Sequence, residues 1–327
     1  MKFFKSQFML GVMLIALVAP FSANAQDRST AYPNKAVRIV IPFPAGQATD
    51  IIGRLLAERL AQRWGQPVFV ENRGGGNAIP GMLAGKDAAP DGYTLTFGAT
   101  SSTVINQALF PNLPYNMEKD FVAIGPVFTQ DWLIVANRNA PYNNLTELIA
   151  AAKQAPGKLS WSVSATALNM AGELVKLSAG MDIVAVPYKG SPMAVNDLIG
   201  GHIQLGVDTI AATLPHIKEG RLKVIANLSD KRSTHLPDVA TVSEQFPGTV
   251  SVGFAGLFAP KATPTAIVQK VALDVQNIVG DPTFQQAVVD KGSVPDLRTK
   301  EQWAIFLADL TTKYSDLVKS GKVKVAE

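Results

Sequence analysis

Apolar residues fall in short blocks along most of the chain, and many blocks lead through a turn into apolar residues at helical spacing. Residues 39–65 set the pattern. Ile39, Val40 and Ile41 read as a strand covered on both faces. Pro42 and Pro44 cannot continue a ladder, Gly46 permits the angles of a tight turn, and Thr49 or Asp50 supplies an N-cap oxygen. Ile51, Ile52, Leu55, Leu56 and Leu60 then recur at helical spacing, and Gly65 followed by Pro67 ends the helix. Such a turn leaves backbone N–H groups at the positive end of a helix dipole. That is a ready anion site without a cationic side chain, although any ordinary strand–helix turn shares it.

The same reading predicts strands over 68–71, 93–97, 121–128, 133–136, 159–162, 183–186, 203–207, 222–228 and 250–258. Residues 121–136 look like the passage from one lobe to a second, 222–228 crosses back, and 250–258 returns to the first. Asn144 and Glu147 start a helix in capping-box fashion, Ser191 caps another that Pro192 begins, and 211–218 is helical. The opening design recurs at 159–177, as a strand, a small polar turn from Val163 to Ala167, and a helix from Asn169. Thr263 caps and Pro264 begins one late helix, Asp281 and Pro282 the next, and Thr299 with Gln302 forms a capping box for the last. On that last helix Trp303, Phe306, Leu307, Leu310, Tyr314 and Leu317 share one face, which is core. Strands alternating with helices make this an α/β protein.

The sequence has 327 residues, 47% hydrophobic and 17% charged, enough for two domains and too apolar for disorder. Lys2 and Lys5, an apolar stretch over 8–19 and Ala23-Asn24-Ala25 read as a secretory signal cleaved after Ala25. The apolar stretch is too short to span a bilayer. An exported, periplasmic product is expected, and the absence of cysteine fits a fold independent of disulfides. The net charge of +4 falls to +2 without Lys2 and Lys5, too small and scattered for nucleic acid.

Little here suggests catalysis. His202, His216 and His235 are far apart in sequence, no metal-ligand spacing occurs, and no serine-hydrolase elbow is present. The glycines at 74, 76 and 81 lack dinucleotide-loop spacing, and residues 81–87 lack the length and Ser/Thr of a phosphate loop. No cofactor, metal or catalytic group is therefore expected. Thr100, Ser101, Ser102 and Thr103 end a strand and serve either as a helix cap or as ligand donors. Asp50 and Asp208, the acidic residues at strand ends, read as caps or hydrogen-bond acceptors and not as proton-transfer groups. A site rich in donors and poor in catalysts favours capture over reaction.

Several motifs in order carry a family resemblance. Tyr32-Pro33, Val37-Arg38-Ile39-Val40-Ile41-Pro42-Phe43, Ala45-Gly46 and Thr49-Asp50 come first. Gly65-Gln66-Pro67-Val68, Val70-Glu71-Asn72-Arg73 and Ala89-Pro90-Asp91-Gly92-Tyr93-Thr94-Leu95 follow. Pro187-Tyr188-Lys189-Gly190, Leu214-Pro215-His216-Ile217-Lys218, Lys231-Arg232-Ser233 and Leu236-Pro237-Asp238-Val239 complete the set. In order and spacing the mature chain resembles the Bug-type solute-binding proteins of tripartite tricarboxylate transporters.

The resemblance implies a two-lobed periplasmic-binding-protein clamshell, type II-like, each lobe a mixed sheet flanked by helices. Residues 26–128 with 250–327 would form lobe 1, and 129–249 lobe 2. It implies a small organic carboxylate, mono- or dicarboxylate, held mainly by backbone amides and waters at two facing loops. The first is residues 43–49, with Phe43, Ala45, Gly46, Gln47 and Thr49, beside Asp50. The second is 162–166, with Ser162, Ser164, Ala165 and Thr166. Thr100, Ser101, Ser102, Lys189, Gly190 and Asp208 would line the remainder. The implied partner is a membrane permease, and a monomer is expected. Two departures touch these loops. Gln47 stands where the family usually has a second glycine, so either the turn shifts or the amide side chain enters the pocket. The second loop lacks the usual glycines, and Asn169 stands where a His is common. The alternatives to a transport receptor are an exported α/β enzyme acting on a carboxylate and a ligand sensor for a signalling partner.

Overall fold

The computed structural model describes residues 32–321 and Val323. The expected signal segment, residues 1–25, lies outside the described residues. Val37, Ile39, Val40 and Ile41 are buried, as an apolar run covered on both faces should be. This strand, β1 (Val37–Ile41), pairs in parallel with β2 (Val68–Asn72) and β3 (Thr94–Ala99). β4 is Phe121–Asn137, and β5 (Leu159–Val163), β6 (Ile183–Pro187) and β7 (Leu205–Thr209) form a second parallel trio, with β5 between the others. β8 (Leu222–Asn227), β9 (Val252–Pro260) and β10 (Val294–Pro295) complete the sheet. The order is β2-β1-β3-β9-β4-β7-β5-β6, with β8 and β10 also on β4.

β4 joins the two halves. Its residues from Phe121 to Asp131 pair antiparallel with β9, and those from Trp132 onward pair with β7 and β8. The sequence suggested two strands here, 121–128 and 133–136, with Thr129-Gln130-Asp131-Trp132 between them. The chain instead stays extended, because Thr129, Gln130 and Asp131 pair with Phe254, Gly253 and Val252. Nor does the strand near 222–228 cross back by itself. β8 stays paired with the end of β4, and the return is made beyond it, where the Ser251 N–H bonds the Leu228 carbonyl.

The helix Ala48–Trp64 lies on β1, β2 and β3 and buries Ile52, Leu56 and Leu60, each contributing about 1.5–3 kcal/mol. The last helix, Lys300–Lys319, carries the predicted capping box and buries Trp303 and Tyr314 fully. Phe306, Leu307, Leu310 and Leu317 pack on the same core, and Trp303 meets Phe258 at 5.1 Å between rings. This helix backs residues 101–109, so core packing fixes the hydroxyl-rich segment from behind.

Helix starts differ from expectation in places. Asn144, Asp281 and Thr299 cap as predicted. Thr263 does not: its hydroxyl is buried without a partner, and the helix runs Thr265–Gly280 behind Pro264. The helix expected from Asn169 already begins at Thr166 and runs to Ala179. The helix Ser191–Gly200 follows Gly190, and the Ser191 hydroxyl is turned away to Asp208. Among the described residues no helix is long and apolar enough to cross a membrane.

Candidate functional site

In both parallel trios the strands point their C-terminal ends at the same region, the edge where open α/β sheets hold ligands. β1 enters its helix through a turn closed at Gly46, whose φ of +83° suits glycine. The Gly46 N–H donates to Asp50 Oδ2 at 2.9 Å. Asp50 Oδ1 accepts from Asn72 at 2.8 Å and pairs with Arg54 at 2.9 Å. Burial raises the Asp50 carboxyl, but the bonds from Arg54, Gly46 and Asn72 outweigh it and hold it below its ordinary value. Asp50 therefore stiffens the turn as an anion. Neither it nor Thr49 is the cap, because Gln47 occupies that position and no side chain caps the helix.

Gln47 also resolves the first departure. Its φ of −77° is ordinary, so the missing glycine strains nothing. Its side chain is buried and directs Nε2 across the cleft to the Ser164 carbonyl at 3.5 Å. The Gln47 amide enters the pocket.

The second turn is built alike. β5 ends at Val163, and Ala165 precedes the helix Thr166–Ala179, again with no side-chain cap. Helix geometry leaves the first amides of both helices without intrahelical partners. Ser101 reaches over from the first half, where its hydroxyl oxygen accepts from the Ala167 N–H at 3.0 Å. Thr166 donates to Asn106 Oδ1 at 3.0 Å.

The hydroxyl cluster after β3 divides its labour. Ser102 and Thr103 bond back to Ala99, which is local capping, and Thr100 accepts from the Phe254 N–H at 2.9 Å. Only Ser101 bonds across the cleft. Beneath the second turn, Ser164 and Ser191 hydroxyls lie 3.1 Å apart, and Ser191 donates to Asp208 Oδ1 at 2.6 Å. The Thr209 N–H donates to the same oxygen at 2.7 Å, and Asp208 Oδ2 has no partner. Burial pushes the Asp208 carboxyl up to about 6, against the opposing bonds from Ser191, Thr209 and Ser164.

Two adjoining cavities meet at these turns. The inner one, about 40 Å³, is lined by the first residues of both uncapped helices: Gln47, Ala48 and Thr49 from one, Ala165, Ala167 and Leu168 from the other. Phe43, Ala99, Thr100, Ser101, Gln130, Trp132, Ser164, Ser191, Thr209 and Phe254 complete its wall, which holds no Lys, Arg or His. The outer one, about 340 Å³, shares Phe43, Ser101, Ser164 and Ala165 and adds Thr166, Asn169 and Lys189 among others. Of the residues singled out from sequence, Ala45, Gly46, Asp50, Ser102, Ser162, Gly190 and Asp208 line neither. Ser162 lies against Gly206 inside the sheet, Gly190 packs on Pro44, and Asp208 sits behind Ser191.

Sequence reasoning missed Gln130, Trp132 and Phe254. All three lie on the strands that join the halves, and the polar break in β4 was the available signal. Gln130 and Trp132 are two apart, so they share a strand face. Gly253 makes room for both: a Cβ there would come within 2.5 Å of Trp132 Nε1 and 2.7 Å of Gln130 Cγ. Among the described residues no group of three His, Asp or Glu side chains is placed to hold a metal.

The family described as the tripartite tricarboxylate transporter family receptor matches residues 52–322. Protein BugT of Bordetella pertussis is 32% identical over 313 residues, covering 94% of both chains. A solved R. palustris protein with adipate is 26% identical, with a TM-score of 0.86 over 89% of this chain and 99% of that one. MatC from Rhodopseudomonas palustris, solved with bound malate, is 27% identical, with a TM-score of 0.81 over 88% of this chain and all of that one. The mixed sheet with flanking helices is the periplasmic-binding-protein fold these structures share.

Proposed function

Because this chain belongs to the tripartite tricarboxylate transporter receptor family, we propose that it is an extracytoplasmic receptor for a small organic carboxylate, which it delivers to a membrane permease. The observation that carries this reading is the inner cavity, where two helices from opposite halves of the sheet open their uncapped first turns toward one space. A carboxylate there accepts from first-turn amides such as those of Ala48, Thr49 and Leu168. A helix terminus contributes about 0.3–1 kcal/mol to an exposed anion and roughly 2 when partly buried. Micromolar affinity needs about 8 kcal/mol, so burial between closing halves and charge-assisted hydrogen bonds supply the larger part.

Residues 26–128 with 250–327 then act as one lobe and 129–249 as the other, closing about β4 and β9 on the ligand. Ala45, Gly46, Asp50, Ser102, Ser162, Gly190 and Asp208 contribute from outside the cavity walls, by holding the turns that line them. The receptor works as a monomer in the periplasm, after removal of residues 1–25. The relatives solved with adipate and malate support a carboxylate ligand. A thermal-shift screen of mono- and dicarboxylates, aliphatic and aromatic, tests this: a binder should raise the melting temperature and be recovered unchanged. Consumption of the binder would overturn the receptor reading in favour of an enzyme. Deletion of the gene should abolish uptake of the ligand; retained uptake would favour a sensor.

A further inference from the structure

Two buried polar atoms on residues that line the inner cavity have no partner. Gln130 is 7% exposed and Trp132 3% exposed, and both side chains line the inner cavity. Gln130 Oε1, an acceptor, and Trp132 Nε1–H, a donor, make no hydrogen bond. A buried group left unsatisfied carries a desolvation penalty that a complementary ligand group removes. Their placement is constrained as well, since only a glycine at 253 leaves the indole its position.

The remainder of the wall argues about charge. No cation lines the inner cavity, Phe43 and Phe254 are apolar, and the Asp208 carboxylate lies directly behind Ser191 and next to Thr209. The helix termini can hold one carboxylate. A second would enter a largely buried, cation-free space beside an acidic residue, at a high desolvation cost. A plain methyl end would leave both polar atoms unpaired. An ammonium end would meet the indole N–H with another donor. A hydroxyl or a carboxamide both donates and accepts, so it satisfies both atoms at once.

We propose that Gln130 and Trp132 are the specificity-determining pair, and that they select a short monocarboxylate whose far end is a neutral group able to donate and accept. This rests on the carboxylate reading above and narrows it. The small inner cavity keeps the chain short, with room for only a few atoms beyond the carboxylate.

Four acids with one four-carbon chain isolate the far end: succinamate, 4-hydroxybutyrate, succinate and butyrate. Isothermal titration should show succinamate or 4-hydroxybutyrate binding at least tenfold tighter than succinate and butyrate. In Trp132→Phe and in Gln130→Leu the succinamate-to-butyrate ratio should fall to within about threefold. A merely structural role would weaken all four acids together and leave that ratio alone. Melting curves without ligand establish that each variant is folded, and Trp132→Phe suffices should Gln130→Leu unfold. Succinate or butyrate binding as tightly as the neutral polar acids overturns the proposal, as does an unchanged ratio in the variants. If none of the four binds while another carboxylate does, the selectivity proposal fails and the receptor reading stands. If no carboxylate binds at all, that reading fails with it.

Discussion

At Gly46 a φ of +83° and an N–H bonded to the Asp50 carboxylate fix the turn that opens the first helix. Gly46→Ala should cost about 1–2 kcal/mol through the left-handed backbone alone. Its Cβ would also come within 3.2 Å of Pro192, whose ring must give slightly. Gly46→Pro adds loss of the N–H and a fixed negative φ, so it should abolish ligand-induced thermal stabilisation. Unchanged affinity in the proline variant would mean the anion sits elsewhere. Asp208 makes the opposite electrostatic case to Asp50. Its folded carboxyl is raised to about 6 from an ordinary 3.8, so between those values the folded chain binds more protons than the unfolded one. Stability from this group therefore falls as pH rises through that window. Melting temperatures of the wild type should drop from pH 4.5 to 7 relative to Asp208→Asn; parallel profiles would show that Asp208 does not titrate there. Asp50 and Asp274, both held low, act at more acidic pH and with the reverse sign.

Among the elements, the two uncapped helix starts carry the account. Ala165 already has the extended φ and ψ of an N-cap and lacks only an acceptor. Ala165→Asp should supply one from within the chain, raising stability by about 1 kcal/mol while weakening ligand binding by charge and occupancy. A melting curve and a titration on the same variant check both signs, and tighter binding would contradict the model of an anion at that terminus. Both turns could be located from sequence, because Pro42, Gly46 and the small polar run at 163–167 punctuate apolar strands. Which hydroxyls face the cleft could not, since Ser101 and Ser102 are adjacent and alike, and only packing against the last helix separates them. Ser191 likewise matches a cap in sequence, yet a buried carboxylate from β7 competes for its hydroxyl and wins. Gln130 and Trp132 were hard to read for a related reason, since the polar stretch marks them but their partners are distant in sequence: Gln130 pairs with Gly253 on β9 and Trp132 with Thr209 on β7.

For the whole molecule, the strand order gathers the turns after β1, β3, β5, β6 and β7 around one cleft, and among the described residues hydrogen bonds between Ser101 and Ala167, Thr166 and Asn106, and Gln47 and Ser164 cross it. The α/β class and the alternation of strands and helices follow from local pattern. The long joining strand does not, because its polar middle reads as a break until β9 is there to pair it. If closure on an anion drives function, Ser101→Ala should loosen the ligand-free closed form, visible as a larger radius of gyration in solution scattering, with ligand restoring compactness. Identical scattering curves for both proteins would argue against that contact as part of closure. The most direct test of the central claim is the position of the acid group in a crystal structure of the complex. The account predicts carboxylate oxygens about 2.7–2.9 Å from first-turn amides of both helices, Ala48 or Thr49 on one side and Leu168 on the other. A carboxylate found instead in the separate cavity beside Arg298 and Lys300 would contradict it.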